Sequence, residues 1–297
     1  MNQLLITTSD WHLRTTVPCS RSEPDWYGVM EAKILALFEL AGNTPILIAG
    51  DIFDRPDPPA SLVSWAISTF HEAKCPIYCT VGQHDLKNHI INDRMSGAYG
   101  ALVKSKVISD LPINTWYTVG DTVALYAMPW GTYSLPERPC PTGYSVAALH
   151  KYTWITDKTK YHGATGESNV LGISEYAQHF DAIAIGDNHI PWASGKFCNH
   201  GSLFGFASNQ QDHVPFIGIL TDDGKYAAQR FPDPTPALWQ PNLGNTTSES
   251  VVSVVDYIQA ADKSVIDFRE SLKRLGEETL DVNQRAIYGE INEVLSR

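Results

Sequence analysis

At 297 residues with 43% hydrophobic side chains, the chain is long enough for one large domain, or for one domain with a small appendage, and can bury a sizeable core. A formal net charge of −11 and a pI near 5.3 argue against a protein that coats nucleic acid by bulk electrostatics, while leaving room for local contact at a metal site or through a partner. Five scattered cysteines (Cys19, Cys75, Cys79, Cys140, Cys198) lack zinc-type pair spacing and predict reduced thiols.

The first predicted strand runs from Leu4 to Thr8 and closes at Ser9-Asp10-Trp11-His12. Met1 leads straight into it with no basic n-region or cleavage site, and no apolar run approaches membrane-spanning length. A cytoplasmic protein with no membrane partner is expected. Helical spacing of apolar residues predicts a helix from about Trp26 to Leu40, stopped at Gly42-Asn43-Thr44-Pro45. Next comes the stretch Leu47-Ile48-Ala49-Gly50-Asp51-Ile52-Phe53-Asp54, an apolar run that reads as a buried parallel strand. Gly50 lets the backbone turn there, and Asp51 projects where open α/β sheets place ligands. A helix from about Ala60 to Glu72 follows, and a third strand from Ile77 to Val81 ends in Gly82-Gln83-His84-Asp85.

Strand, helix, strand, helix, strand is a βαβ layout and predicts a parallel sheet. Beyond Val107 a hairpin is expected over Trp116–Val119 and Thr122–Met128, then a short strand over Val146–Leu149 ending at His150. A long loop from Lys151 to Gly172 carries Lys151, Lys158 and Lys160 among Tyr152, Trp154 and Tyr161. Such interleaving suits either a nucleic-acid backbone with its bases or an ordinary solvated loop. A helix near Ile173 leads to a strand over Ala182–Ile185 and then Gly186-Asp187-Asn188-His189. Lys196–Asn199, Val214–Leu220 and Tyr226–Phe231 are expected to complete a second sheet. Pro, Asn, Thr and Ser enrichment marks 233–250 as a linker, and 251–297 has a charged helical pattern.

Each apolar run thus ends in residues able to bind metal: Asp10 and His12; Asp51 and Asp54; Gln83, His84 and Asp85; His150; Asp187 and His189. Any one alone is more often a cap or a hydrogen-bonded turn residue. Recurrence at five strand ends points to one shared site. Carboxylate and imidazole ligands match Mn²⁺, Fe²⁺ or Zn²⁺, and a bridging carboxylate can hold two such ions ~3.5–4 Å apart over a phosphate.

Asp10-x-His12, Gly50-Asp51-x-x-Asp54, Gly82-Gln83-His84-Asp85, His150 and Gly186-Asp187-x-His189 resemble the five motifs of the calcineurin-like metallophosphoesterases. Gly50 to Pro56 followed by Pro58-Pro59, and Gly201-Ser202 after the last motif, are similar to the SbcD-type DNA nucleases of that superfamily. The resemblance spans roughly residues 3 to 232. It implies an α/β fold, a four-layer α/β/β/α sandwich, with a catalytic domain over 1–232. It implies two divalent metal ions, Mn²⁺ foremost, with Mg²⁺, Fe²⁺ and Zn²⁺ as alternatives. By resemblance, Asp10, His12, Asp51 and His189 hold one ion, and Asp51, Gln83, His150 and Asp187 the other. His84 is then the catalytic histidine, with Asp85 orienting it. Asp54 is either a supporting residue or a turn residue. Gln83 replaces the usual Asn, and Asp187 the usual His. The extra carboxylate leaves the site about +1 instead of +2, which favours Mn²⁺ or Mg²⁺ over Zn²⁺.

The activity so implied is a metal-dependent DNA nuclease in recombination, repair or replication. The alternatives are a phosphatase or phosphodiesterase on a small phosphoester, and a binding subunit with a degenerate site. Arg14, Arg21, Arg55, Lys87 and Arg94 are candidates for phosphate contacts. Implied partners are DNA and an SbcC-type ABC ATPase docking on the helical tail. That tail would otherwise be a small cap or a homodimer element, and so compact a member would suit a bacteriophage.

Overall fold

The computed structural model describes residues 1–137, 139–141, 143–160, 170–207, 210–234 and 237–240. The expected helical tail over 251–297 lies outside them, as does Tyr161. Two six-stranded sheets form the body. The first has the order β12 (Tyr226–Arg230), β11 (Phe216–Thr221), β1 (Gln3–Thr8), β2 (Ile46–Ala49), β3 (Ile77–Thr80), β4 (Ser109–Asp110). β1 to β4 run parallel, and β11 pairs antiparallel with both β1 and β12. The second sheet has the order β5 (Trp116–Val119), β6 (Val123–Met128), β7 (Tyr144–His150), β8 (Ala182–Gly186), β10 (Phe197–Asn199), β9 (Trp192–Ser194). Its middle strands β6, β7, β8 and β10 are parallel, with antiparallel β5 and β9 at the edges.

The period-two alternation of each strand sorts its side chains into layers. From β1 and β2, Leu5, Leu47 and Ala49 face the second sheet, meeting Val146 and Ala148 of β7 and Ala182 and Ala184 of β8. Alanines in this middle layer let the sheets approach. Gly186 lies so near β2 that a Cβ there would sit 2.5 Å from the Ala49 carbonyl oxygen. Ile6, Ile46 and Ile48 point the other way, into a core with the apolar faces of α1 (Trp26–Ala41), α2 (Ala60–Phe70) and α3 (Ala98–Lys104). On the far face of the second sheet, Leu149, Ile183 and Ile185 pack with Ile173, Tyr176 and Phe180. The chain therefore forms the α/β/β/α sandwich expected of it.

Helix α1 starts where the Asp25 carboxylate accepts the Gly28 amide at 2.9 Å, and stops at Gly42, whose positive φ of 55° suits a glycine. Its face of Trp26, Met30, Ile34 and Leu37 is fully buried or nearly so, at roughly 1.5–3 kcal/mol per large side chain.

Several expectations are corrected. β11 and β12 belong to the first sheet, not the second, because β1 has an open edge opposite β2 and β11 fills it. The segment near Ile173 is a 3₁₀ stretch, Val170–Gln178. α3, β4 and β9 were not anticipated; β4 and β9 are only two and three residues long.

Candidate metal centre

The candidate residues sit at or just past the carboxyl ends of β1, β2, β3, β7 and β8, where each chain must leave its sheet. Asp10, His12, Asp51 and Asp187 all have positive φ (52°, 44°, 54° and 86°), and Gly50 has 96°. Non-glycine residues there cost on the order of 1–3 kcal/mol each and persist only when neighbours fix them. The neighbours are backbone. The segments after β1 and β2 continue pairing, with Asp10 N donating to Gly50 O (3.0 Å), His12 N to Asp51 O (3.0 Å) and Leu13 N to Ile52 O (2.8 Å). This zipper brings Asp10, His12 and Asp51 together.

Their side chains converge with those from the other strand ends. Ligand atoms of Asp10, His12 and His189 lie within 4.8 Å of one another, as do those of Asp10, Asp51 and His150, and of His12, Asp51 and His84. The Nε2 atoms of His12 and His189 are 2.9 Å apart, and His12 Nε2 is 3.8 Å from Asp51 Oδ2. His150 Nδ1 donates to the Ala49 carbonyl at 2.7 Å, so Nε2 is the end turned to the site. There it faces Gln83 Oε1 at 2.8 Å and Asp51 Oδ2 at 3.3 Å. Gln83 Nε2 in turn donates to Asp187 Oδ1 at 2.7 Å.

Once His150 Nε2 gives up its proton, as a metal ligand must, an imidazole lone pair, an amide oxygen and a carboxylate oxygen meet here. Asp51 Oδ2 is fully buried without a hydrogen-bond partner, as is His12 Nδ1. A cation satisfies such a set, and N and O donors without a thiolate fit a divalent ion.

The electrostatics have the same cause. Burial pushes the Asp10 carboxyl up to about 8, and the Asp51 charge adds to this against the pull of His150. Burial acts on Asp51 as well, but the imidazoles of His150, His12 and His84 outweigh it and hold its carboxyl below the usual range. Burial lowers His189 to about 4 and takes His12 well below its ordinary value. Burial disfavours a charged His150 too, yet Asp51 overrides it and raises that imidazole well above its ordinary value. The pocket is a buried anionic focus in need of positive charge.

Three glycines clear the space. A Cβ on Gly82 would lie 2.1 Å from Asp51 Oδ1 and 2.5 Å from His150 Nε2; on Gly50, 2.2 Å from His150 Nδ1; on Gly186, 2.8 Å from His150 Nδ1. Gly201, at φ 70°, braces His189: a Cβ there would stand 2.9 Å from the His189 carbonyl oxygen, which accepts Ser202 N at 3.2 Å.

His84 sits edge-on to His12 with ring centroids 4.7 Å apart. Its orientation differs from the one expected. Asp85 does not turn the ring; its buried carboxylate accepts the amides of Ile52 (3.3 Å), Phe53 (3.1 Å) and Gly82 (3.2 Å), tying the β2 loop to the β3 loop. Burial first, then Asp51, raises the Asp85 carboxyl to about 7. Instead, the Asp54 carbonyl accepts His84 Nδ1 at 2.9 Å, which leaves Nε2 as the free end. The Asp54 carboxylate is ion-paired with Arg14.

Two other expected phosphate contacts are spent internally. Arg21 is buried against Trp26 and Trp239 and paired with Glu23, and Arg94 pairs with Asp110 at 3.0 Å.

A buried carboxylate–imidazole cluster on the strand ends of a two-sheet sandwich defines a candidate dinuclear site for divalent ions. A sequence profile described as calcineurin-like phosphoesterase matches residues 5–226, and the chain belongs to that family, whose members are metal-dependent phosphoester hydrolases. No curated protein matches the chain. Among solved structures, a 5′-nucleotidase precursor from Thermus thermophilus is 12% identical, the match covering 79% of this chain and 54% of that one at a TM-score of 0.42. The NAD nucleotidase of Haemophilus influenzae is 13% identical, with 92% and 60% covered and a TM-score of 0.43. TT1561 of Thermus thermophilus is 9% identical, with 77% and 99% covered and a TM-score of 0.43. No helix among the described residues is long and apolar enough to cross a membrane.

Proposed function

We propose that the protein is a phosphodiesterase of the SbcD type that hydrolyses DNA with two divalent ions, Mn²⁺ foremost. The observation that carries the metal-dependent part is the facing of Asp51 Oδ2, His150 Nε2 and Gln83 Oε1, with Asp51 Oδ2 fully buried and without a hydrogen-bond partner. The nuclease part is supported by the resemblance of Gly50 to Pro56 and of Gly201-Ser202. In this reading Asp10, His12, Asp51 and His189 hold one ion, and Asp51, Gln83, His150 and Asp187 the other. When bound, the pair neutralises phosphate charge and acidifies a water.

The protein's own groups do the rest. In this reading Asp51 is shared, since His84 N donates to its Oδ1 at 2.9 Å and Oδ2 is left turned to both His12 and His150. His84, its Nδ1 committed to the Asp54 carbonyl, presents Nε2 to the leaving oxygen and protonates it. A partner ATPase would supply the opened DNA.

The net charge of −11 favours a second reading, in which the substrate is a small phosphoester. Assays with Mn²⁺ against duplex ends, single strands and a chromogenic phosphodiester separate the two. The expected result is cleavage of DNA and of the chromogenic ester, with kcat lower by roughly 10²–10⁴ in His84→Ala at equal metal content. Hydrolysis of small esters without DNA cleavage assigns the second reading. Inactivity on all three with no bound metal would identify a degenerate binding subunit.

A further inference from the structure

Beside His189, outside the metal cluster, lies a cleft of about 440 Å³ whose lining includes Lys158, Lys160, Arg230, Asp212 and the half-buried His213. In so acidic a chain, three cations against one carboxylate make this a local positive site. His213 adds no charge near neutral pH, since burial lowers its imidazole to about 4 and the Ser202 carbonyl accepts its Nε2 at 2.6 Å.

Both walls are fastened to the backbone that carries His189. Asn188 stands between Asp187 and His189 but turns away from the metal cluster, fully buried. Its Nδ2 donates to the carbonyls of Thr153 (2.6 Å) and Thr159 (2.8 Å), and Thr159 is flanked by Lys158 and Lys160. Its Oδ1 accepts Ile190 N at 3.0 Å, at the start of the opposite wall. Across the cleft, Gln210 Nε2 approaches the His189 carbonyl at 3.4 Å. Lys160 is braced over the Trp154 ring at 5.0 Å. The backbone between Lys158 and Lys160, and the Lys160 side chain, thus hold a set place relative to the candidate ligands.

We propose that this cleft binds a second phosphate of the substrate, a phosphodiester further along the polynucleotide strand whose scissile phosphate sits at the metal centre. The proposal rests on the phosphodiesterase reading and deepens it, since a one-phosphate ester cannot fill both places. Each lysine or arginine that neutralises a single-strand phosphate contributes about 0.7 to the salt dependence of binding.

The test compares wild type with the combined Lys158→Ala, Lys160→Ala, Arg230→Ala variant and with Lys158→Glu alone. The ratio of kcat/KM for a short oligonucleotide to that for bis(p-nitrophenyl) phosphate falls roughly tenfold in the combined variant, and the salt slope falls by about 2. Anisotropy of a labelled oligonucleotide, measured with Ca²⁺ so that binding is read without turnover, shows matching weakening. Unchanged ratio, slope and anisotropy, with the chromogenic ester still hydrolysed, overturn the cleft and leave the phosphodiesterase reading standing. If wild type hydrolyses neither substrate, that reading fails, and anisotropy alone decides: weaker binding by the variants supports the cleft, equal binding overturns it. Loss of binding confined to inorganic phosphate or a mononucleotide assigns the cleft to a small anion and overturns the strand proposal.

Discussion

Gly82 shows how narrowly the metal pocket is cut. Adding one methyl group at that residue places carbon 2.1 Å from Asp51 Oδ1, while Gly82 N is held by the Asp85 carboxylate and Asp51 Oδ1 by the His84 amide. Gly82→Ala is therefore expected to weaken Mn²⁺ binding at least tenfold while leaving the circular dichroism spectrum of the fold in place. Calorimetric titration with Mn²⁺ checks this, and wild-type affinity in the variant would show that Asp51 is not a ligand. Gly50 was legible in the sequence because a glycine between an apolar run and a carboxylate signals a turn. The demand on Gly82 and Gly186 was not, since it comes from His150 on another strand. The true place of Asp85 was hidden for the same reason: its partners are backbone amides, which no motif displays.

At the scale of elements, His200 joins the two sheets beneath the site. Its Nδ1 donates to Ile185 O on β8 at 2.8 Å, and its Nε2 lies 2.8 Å from Thr7 Oγ1 on β1, which Tyr226 of β12 meets at 2.7 Å. The neutral ring satisfies both contacts, and burial lowers its pKa to about 4 from 6.5. Between those values the unfolded chain binds more protons than the folded one. Stability from this histidine is fully present above about pH 6.5 and is lost as pH falls toward 4. Urea unfolding of wild type and His200→Asn at pH 7 and pH 5 should show wild type losing more stability on acidification than the variant, by on the order of 1–2 kcal/mol. Parallel loss in both proteins would contradict that role. The strands themselves were readable as apolar runs bounded by turn residues. Sheet membership of β11 and β12 was not, because alternation reports which face is buried and not which strand lies alongside. Short β4 and β9 carry too few residues to show a period at all.

For the molecule as a whole, two sheets held close by alanines and glycines bring five strand ends to one edge, and that edge gathers buried carboxylates and imidazoles. That convergence was legible because the same polar signature closed each apolar run. Its geometry was not, since positive φ at Asp10, His12 and Asp51 is a product of pairing between loops distant in sequence. Chelation is expected to lower Tm, and Mn²⁺ to restore it, because an ion that binds only the folded state stabilises it by mass action. The most direct test is the number of Mn²⁺ ions retained per chain after equilibrium dialysis, compared with Asp51→Asn. About two per wild-type chain and fewer than one in the variant are expected. A wild-type chain that keeps its fold and retains no Mn²⁺ would contradict the account.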